Sequence, residues 1–79
     1  MIFVNIAGTT VAVWSADGRL YSRPYVGGKP GKTTVVTDQA HPTNTKVVTA
    51  GFGVVYAPAT RGRLIEAKPS PFGFIATVS

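Results

Sequence analysis

Apolar residues along this chain recur at every second position, in short bursts broken by glycine, proline or small polar residues. Val11 and Val13 fall on one parity, with Ala12 and Trp14 on the other. Such a period of two places alternate side chains on opposite faces of a strand. No apolar series at i, i+3, i+4, i+7 of useful length occurs, and Leu is confined to Leu20 and Leu64. Valine, threonine, isoleucine and aromatics take its place. Branching at Cβ costs these residues less in a pleated strand than in a helix.

The pattern predicts strands over 2–6, 10–15, 19–26, 33–37, 46–50, 54–57, 63–68 and 72–78. Ala7-Gly8 breaks the first two, and Asp17-Gly18 is the clearest hairpin turn, because glycine supplies the positive φ that a tight turn needs. Residues 27–31 form a loop, 38–44 the longest polar loop, and 58–62 a turn. Gly51 and Gly53 around Phe52 suggest a bulge or sharp bend. Pro69-Ser70-Pro71 should stop a strand. Pro24 lacks an N–H, so its strand is expected at a sheet edge, or Pro24 at a bulge. Both termini fall in strand-like segments and should be paired within the sheet. Short strands with frequent turns predict an all-β fold, a small antiparallel β-barrel or two-sheet sandwich of about six to seven short strands, in one domain over 1–79. An SH3-like or OB-like barrel is one form it could take.

Asp17-Gly18 also bears on chemistry. If it is a two-residue turn, Trp14 pairs with Tyr21 and Ala12 with Arg23. Arg19, Tyr21, Arg23 and Tyr25 then share a face with Trp14, while Val11, Val13 and Leu20 occupy the other as a natural core. A three-residue turn would move Trp14 opposite Leu20 and dissolve the grouping. Such a row of aromatic and cationic groups could stack bases and take phosphates, or anchor a protein interface. A third reading buries Trp14 and Tyr21 while the arginines snorkel past them. Lys29 and Lys32, in the following basic loop, are candidates to assist. The candidate partner- or nucleic-acid-binding set is therefore Trp14, Arg19, Tyr21, Arg23, Tyr25, Lys29 and Lys32.

Length sharpens the picture. A chain of 79 residues buries about 60–65% of the surface its unfolded form exposes, so the core is thin. Small domains usually add a disulfide, a metal or a partner. There is no cysteine, and His41 has only Asp17, Asp38 and Glu66 to complete a metal site, so neither a cofactor nor a metal is expected. Association remains, as a homo-oligomer or within a larger protein assembly. The formal net charge of +5 suits phosphate contacts or plain solubility, since the charges are spread along the chain.

Other motifs carry less. Gly27-Gly28-Lys29-Pro30-Gly31-Lys32-Thr33 approaches a phosphate-binding loop, but Val26 stands where its first glycine belongs and a strand follows instead of a helix. Arg61-Gly62-Arg63 places two cations at a turn, and His41-Pro42 reads as a turn element. Phe72 and Phe74 should share a face in a core or an interface. No nucleophile-base pattern or close carboxylate pair is present, so no enzyme and no small-molecule substrate are expected.

The expected function is that of a non-enzymatic structural subunit associating with itself or a larger shell. In composition, though in no motif, the chain is similar to small capsid or capsid-decorating proteins of bacterial viruses. The alternatives are a single-stranded nucleic-acid-binding β-barrel and a small regulatory or inhibitor module docking on one host protein. No secretory signal or membrane-length apolar run is evident. Synthesis in the cytoplasm is expected, with incorporation into a virion under the structural reading.

Overall fold

The computed structural model describes residues 1–79. Nine strands form two antiparallel sheets. The first sheet holds β1 (Ile2–Ile6), β2 (Thr9–Ala16), β3 (Arg19–Val26) and the two-residue β4 (Lys29–Pro30), with β5 (Thr34–Thr37) also paired to β3. The second runs β6 (Val48–Gly51), β7 (Val54–Pro58), β8 (Leu64–Ser70) and β9 (Gly73–Val78), with a 3-10 turn over Thr60–Gly62. The sandwich form of the expected all-β fold is the one realised, and no barrel closes. The strands number nine, more than the expected six to seven: all eight strand-like segments pair, and Gly27-Gly28 adds a tight hairpin into β4 where a loop was expected.

Register in the first sheet follows from its turns. Asp17 (φ 52°) and Gly18 (φ 79°) both adopt left-handed backbone, the signature of a two-residue type I′ turn. That geometry pairs Trp14 with Tyr21, Ser15 with Leu20 and Ala12 with Arg23. Val11, Val13, Ser15 and Leu20 accordingly face the second sheet, together with Ile2 and Val4 of β1. The partners across the gap are Val55 and Ala57 of β7 and Ile65 and Ala67 of β8. Only Leu20, Ile65, Val13 and Val55 are large side chains wholly withdrawn from water.

Two prolines behave differently from expectation. β3 is not an edge strand, since β2 lies on one side and β4 and β5 on the other. Pro24 falls where the second side changes from β5 to β4, and its carbonyl accepts from the Gly31 N–H at 2.7 Å. A strand residue's N–H and C=O point the same way, so the missing donor faces this interruption and costs no bond to β2. The irregularity beside β3 lies instead opposite Leu20 and Tyr21, which pair with Thr37 and Val35, so the extra residue, Val36, belongs to β5. Pro69 does not stop β8, which pairs onward through Pro69↔Phe74 and Ser70↔Gly73. Pairing with β7 ends earlier, at Val55↔Ala67, so Pro69 has a ladder on one side only.

The two ends of the sandwich differ. At one end the connection from β5 to β6 crosses between the sheets and seals them. Its Ala40 N–H donates to the Gly18 carbonyl at 3.1 Å, and the His41 N–H donates to the Pro58 carbonyl at 2.9 Å. Ala40, Val47 and Ala59 complete the core there. The opposite end gathers the hairpin tips Ala7-Gly8, Gly27-Gly28, Phe52-Gly53 and Pro71-Phe72. Gly53 makes the close approach: a Cβ at that position would lie 3.2 Å from both Ile6 Cγ1 and Pro69 Cγ.

One buried polar group is unsatisfied. Ser15 is buried opposite Leu20, and its Oγ has no hydrogen-bond partner. An unpaired buried hydroxyl costs about 1–3 kcal/mol. Ser15→Ala should therefore raise the urea midpoint, with a gain of about 1 kcal/mol and an unchanged m-value. A fall in the midpoint would mean that the hydroxyl is solvated or bonded.

Candidate functional site

The face of the first sheet turned away from the core carries Phe3, Ala12, Trp14, Arg19, Tyr21, Arg23 and Tyr25. Cross-strand pairing brings the rings together. Trp14 and Tyr21 stack with centroids 5.4 Å apart and planes 18° from parallel, and Phe3 meets Tyr25 edge-on at 6.0 Å. Beneath them Ala12 is fully buried although it lies on the solvent side of the sheet. Phe3 and Arg23 stand directly opposite it on either side, and Trp14 is its same-face neighbour along β2. These large side chains close over the small one, making a shallow second packing layer that holds each ring in place.

Arg23 is anchored as well as placed. Its Nε donates to the Gly31 carbonyl at 2.8 Å, leaving the two terminal nitrogens with no acceptor in the protein. Arg19 is exposed, and neither arginine has an acidic partner. The one ion pair in the molecule joins Lys68 to Glu66 at 3.7 Å, on the other sheet. None of the first sheet's strands carries a carboxylate; Asp17 and Asp38 stand in the connections at the Arg19 end without pairing to it.

Five of the seven candidate residues, Trp14, Arg19, Tyr21, Arg23 and Tyr25, thus share one face. The other two do not. Lys29 pairs with Val26 and so has the opposite parity from Tyr25, while Lys32 lines a cleft between the sheets. Phe3 belongs to the face although sequence reasoning missed it. Alternation within Ile2–Ile6 places Phe3 and Asn5 together, but only the Phe3↔Ala12 pairing says beside what.

The cleft opens at the end carrying the hairpin tips. It has a volume of about 580 Å³ and lies between Ile6, Val11 and Pro24 on one sheet and Pro69 and Phe74 on the other. No acidic side chain lines it. At the same end Phe52 and Phe72 are each 99% exposed on their turns. Phe72 and Phe74 both border the cleft, but Phe74 packs inward against the core while Phe72 stays in water, so only one of them joins the expected packing. The chain turns at Pro71-Phe72, and the strand begins only at Gly73.

Elsewhere, His41 Nδ1 accepts from the backbone N–H groups of Thr43 (3.1 Å) and Asn44 (2.9 Å), shaping its own loop. Arg63 donates through Nη2 to Gln39 Oε1 at 2.9 Å. No three potential metal ligands converge, and no helix is long and apolar enough to cross a membrane. No family model matches the chain, and neither a curated protein nor a solved structure matches it significantly.

Tyr56, on the outer face of the second sheet, donates to Glu66 Oε2 at 2.8 Å. That hydrogen bond, then desolvation, then the Glu66 charge hold the phenol above its ordinary value of 10.0. A raised folded pKa means that this contribution to stability is complete below pH 10 and is lost as pH rises through the folded value. Wild type should therefore lose stability relative to Tyr56→Phe on titration above pH 10, read as the difference in urea midpoints. Parallel midpoints throughout would show that the bond does not form in solution.

Proposed function

We propose that the protein is a non-enzymatic assembly subunit that associates with copies of itself through the end bearing Phe52 and Phe72. The observation carrying this reading is the coincidence, at one end, of two fully exposed phenylalanines and an unfilled cleft of about 580 Å³. Burying a phenylalanine is worth about 1.5–3 kcal/mol, so two left in water are a substantial unmet driving force. Few charges and a thin core support the same reading, since small domains commonly finish their burial against a neighbour.

The cleft mouth and the aromatic tips lie at the same end, so the contact we propose is self-complementary. Each copy offers its tips to the other's cleft, and the arrangement closes as a two-fold dimer. Incorporation of that unit into a larger shell, such as a viral capsid, belongs to the same proposal. It draws on the chain's composition.

This end bears Lys32 and, at the adjoining tip, Lys29, with no acid lining the cleft. Pairing it with itself brings like charges together, while the attraction is apolar. Association should consequently strengthen with salt, which screens the repulsion without weakening burial. Sedimentation equilibrium from about 1 to about 200 µM protomer tests this. Wild type should populate a dimer, more so at higher salt, and Phe52→Ser/Phe72→Ser should be monomeric with an unchanged circular dichroism spectrum. Wild type that stays monomeric throughout the range would overturn the proposal.

A further inference from the structure

The aromatic face is remote in character from the cleft end and asks for a different occupant. Along β3, Arg19, Tyr21, Arg23 and Tyr25 alternate cation and ring on one face, with about 6.8 Å between successive members. Trp14 stacks on one face of the Tyr21 ring across the strands, and Phe3 meets the Tyr25 ring edge-on from β1. The terminal nitrogens of Arg23 and the whole guanidinium of Arg19 lack acceptors within the protein, and no strand of this sheet carries a carboxylate. A planar set of donors at a fixed height beside a ring is arranged to accept an anion while a flat group lies on the ring.

We propose that this face binds single-stranded nucleic acid, its phosphates taken by Arg19 and Arg23 and its bases stacked on Tyr21, Trp14 and Tyr25. Charge complementarity decides the class: two unpaired arginines on strands that carry no acid, in a chain of net charge +5, call for a polyanion. The rings decide the form, because a base offers its flat surface only when it is not stacked within a duplex. Arg19 to Tyr25 spans about 20 Å of strand, which suits the small end of the range of about 4–16 nucleotides per site.

Anchoring favours affinity. Ordering a long side chain on binding costs free energy, and the Gly31 carbonyl already restrains Arg23 while the Trp14–Tyr21 stack restrains the rings. The Gly31 contact also gives residues 27–33 a role. This basic loop holds Arg23 from behind; its Lys29 has the parity opposite to Tyr25, and its Lys32 lines the cleft.

Trp14 is the only tryptophan, so its fluorescence reports this face alone. Titration with oligo(dT) and oligo(rU) at about 50 and 200 mM salt should quench it, with affinity falling as salt rises. Arg19→Ala/Arg23→Ala should keep the folded spectrum and lower the salt slope by about 1.4, at about 0.7 for each lost phosphate contact. The Phe52→Ser/Phe72→Ser variant should bind as wild type does, so this proposal and the assembly proposal can fail separately. Absence of quenching by both oligonucleotides at the lower salt would overturn the inference. So would an unchanged affinity and slope in the arginine variant, or equal binding of an acidic peptide, which would assign the face to a protein partner.

Discussion

Leu20, Val13, Val55 and Ile65 carry most of the apolar volume between the sheets, and around them the core is completed largely by alanines at 40, 57, 59 and 67. Small residues let two backbones approach closely, and that is what happens where Ala40 bridges to Ala59 and the loop from β5 to β6 crosses over. No comparable set of large side chains spans the gap at the other end. The interior there is a cleft lined by Ile6, Val11, Pro24 and Phe74, and the two phenylalanines that could have filled it sit on turns pointing into water. Most of what is distinctive about the surface follows from this shortage of core volume.

The shortage also explains why the first sheet is packed on both sides. A sheet with a thin inner layer gains from an outer one, and Ala12 beneath Phe3, Trp14 and Arg23 supplies it. The same rings and guanidinium that cover Ala12 are thereby held in fixed relation to one another. Packing and recognition are not competing accounts of this face, since the packing is what would preorganise it. The two proposed surfaces differ in physics. At the cleft end attraction is apolar and charge repulsive, whereas on the aromatic face charge attracts and the rings orient, so salt acts on them in opposite directions.

Much of the architecture was legible along the chain because its signals are local. Alternation located β1 and β3 to the residue, and Asp17-Gly18 carried enough information to set the register that joins Trp14 to Tyr21. Where reading failed, the missing information was non-local. Pro24 suggested an edge because a missing donor is usually placed there; β3 tolerates it because one side of its ladder changes partner at that point. Pro69 suggested a stop, but β8 needs only one ladder beyond Ala67.

By itself, then, the sequence determined the all-β class, the alternation that separates an aliphatic face from an aromatic and basic one, and the turn that aligns them. Each depends on neighbours within a few residues, where the period of two and the dihedral preferences of glycine act. Tertiary structure alone decided that the sheets stack as an open sandwich, that Lys32 joins the cleft while Arg23 stays on the aromatic face, and that Phe74 packs inward while Phe72 remains in water. Those outcomes turn on which strand lies beside or across from which, and on how little side-chain volume is available to fill the space between them.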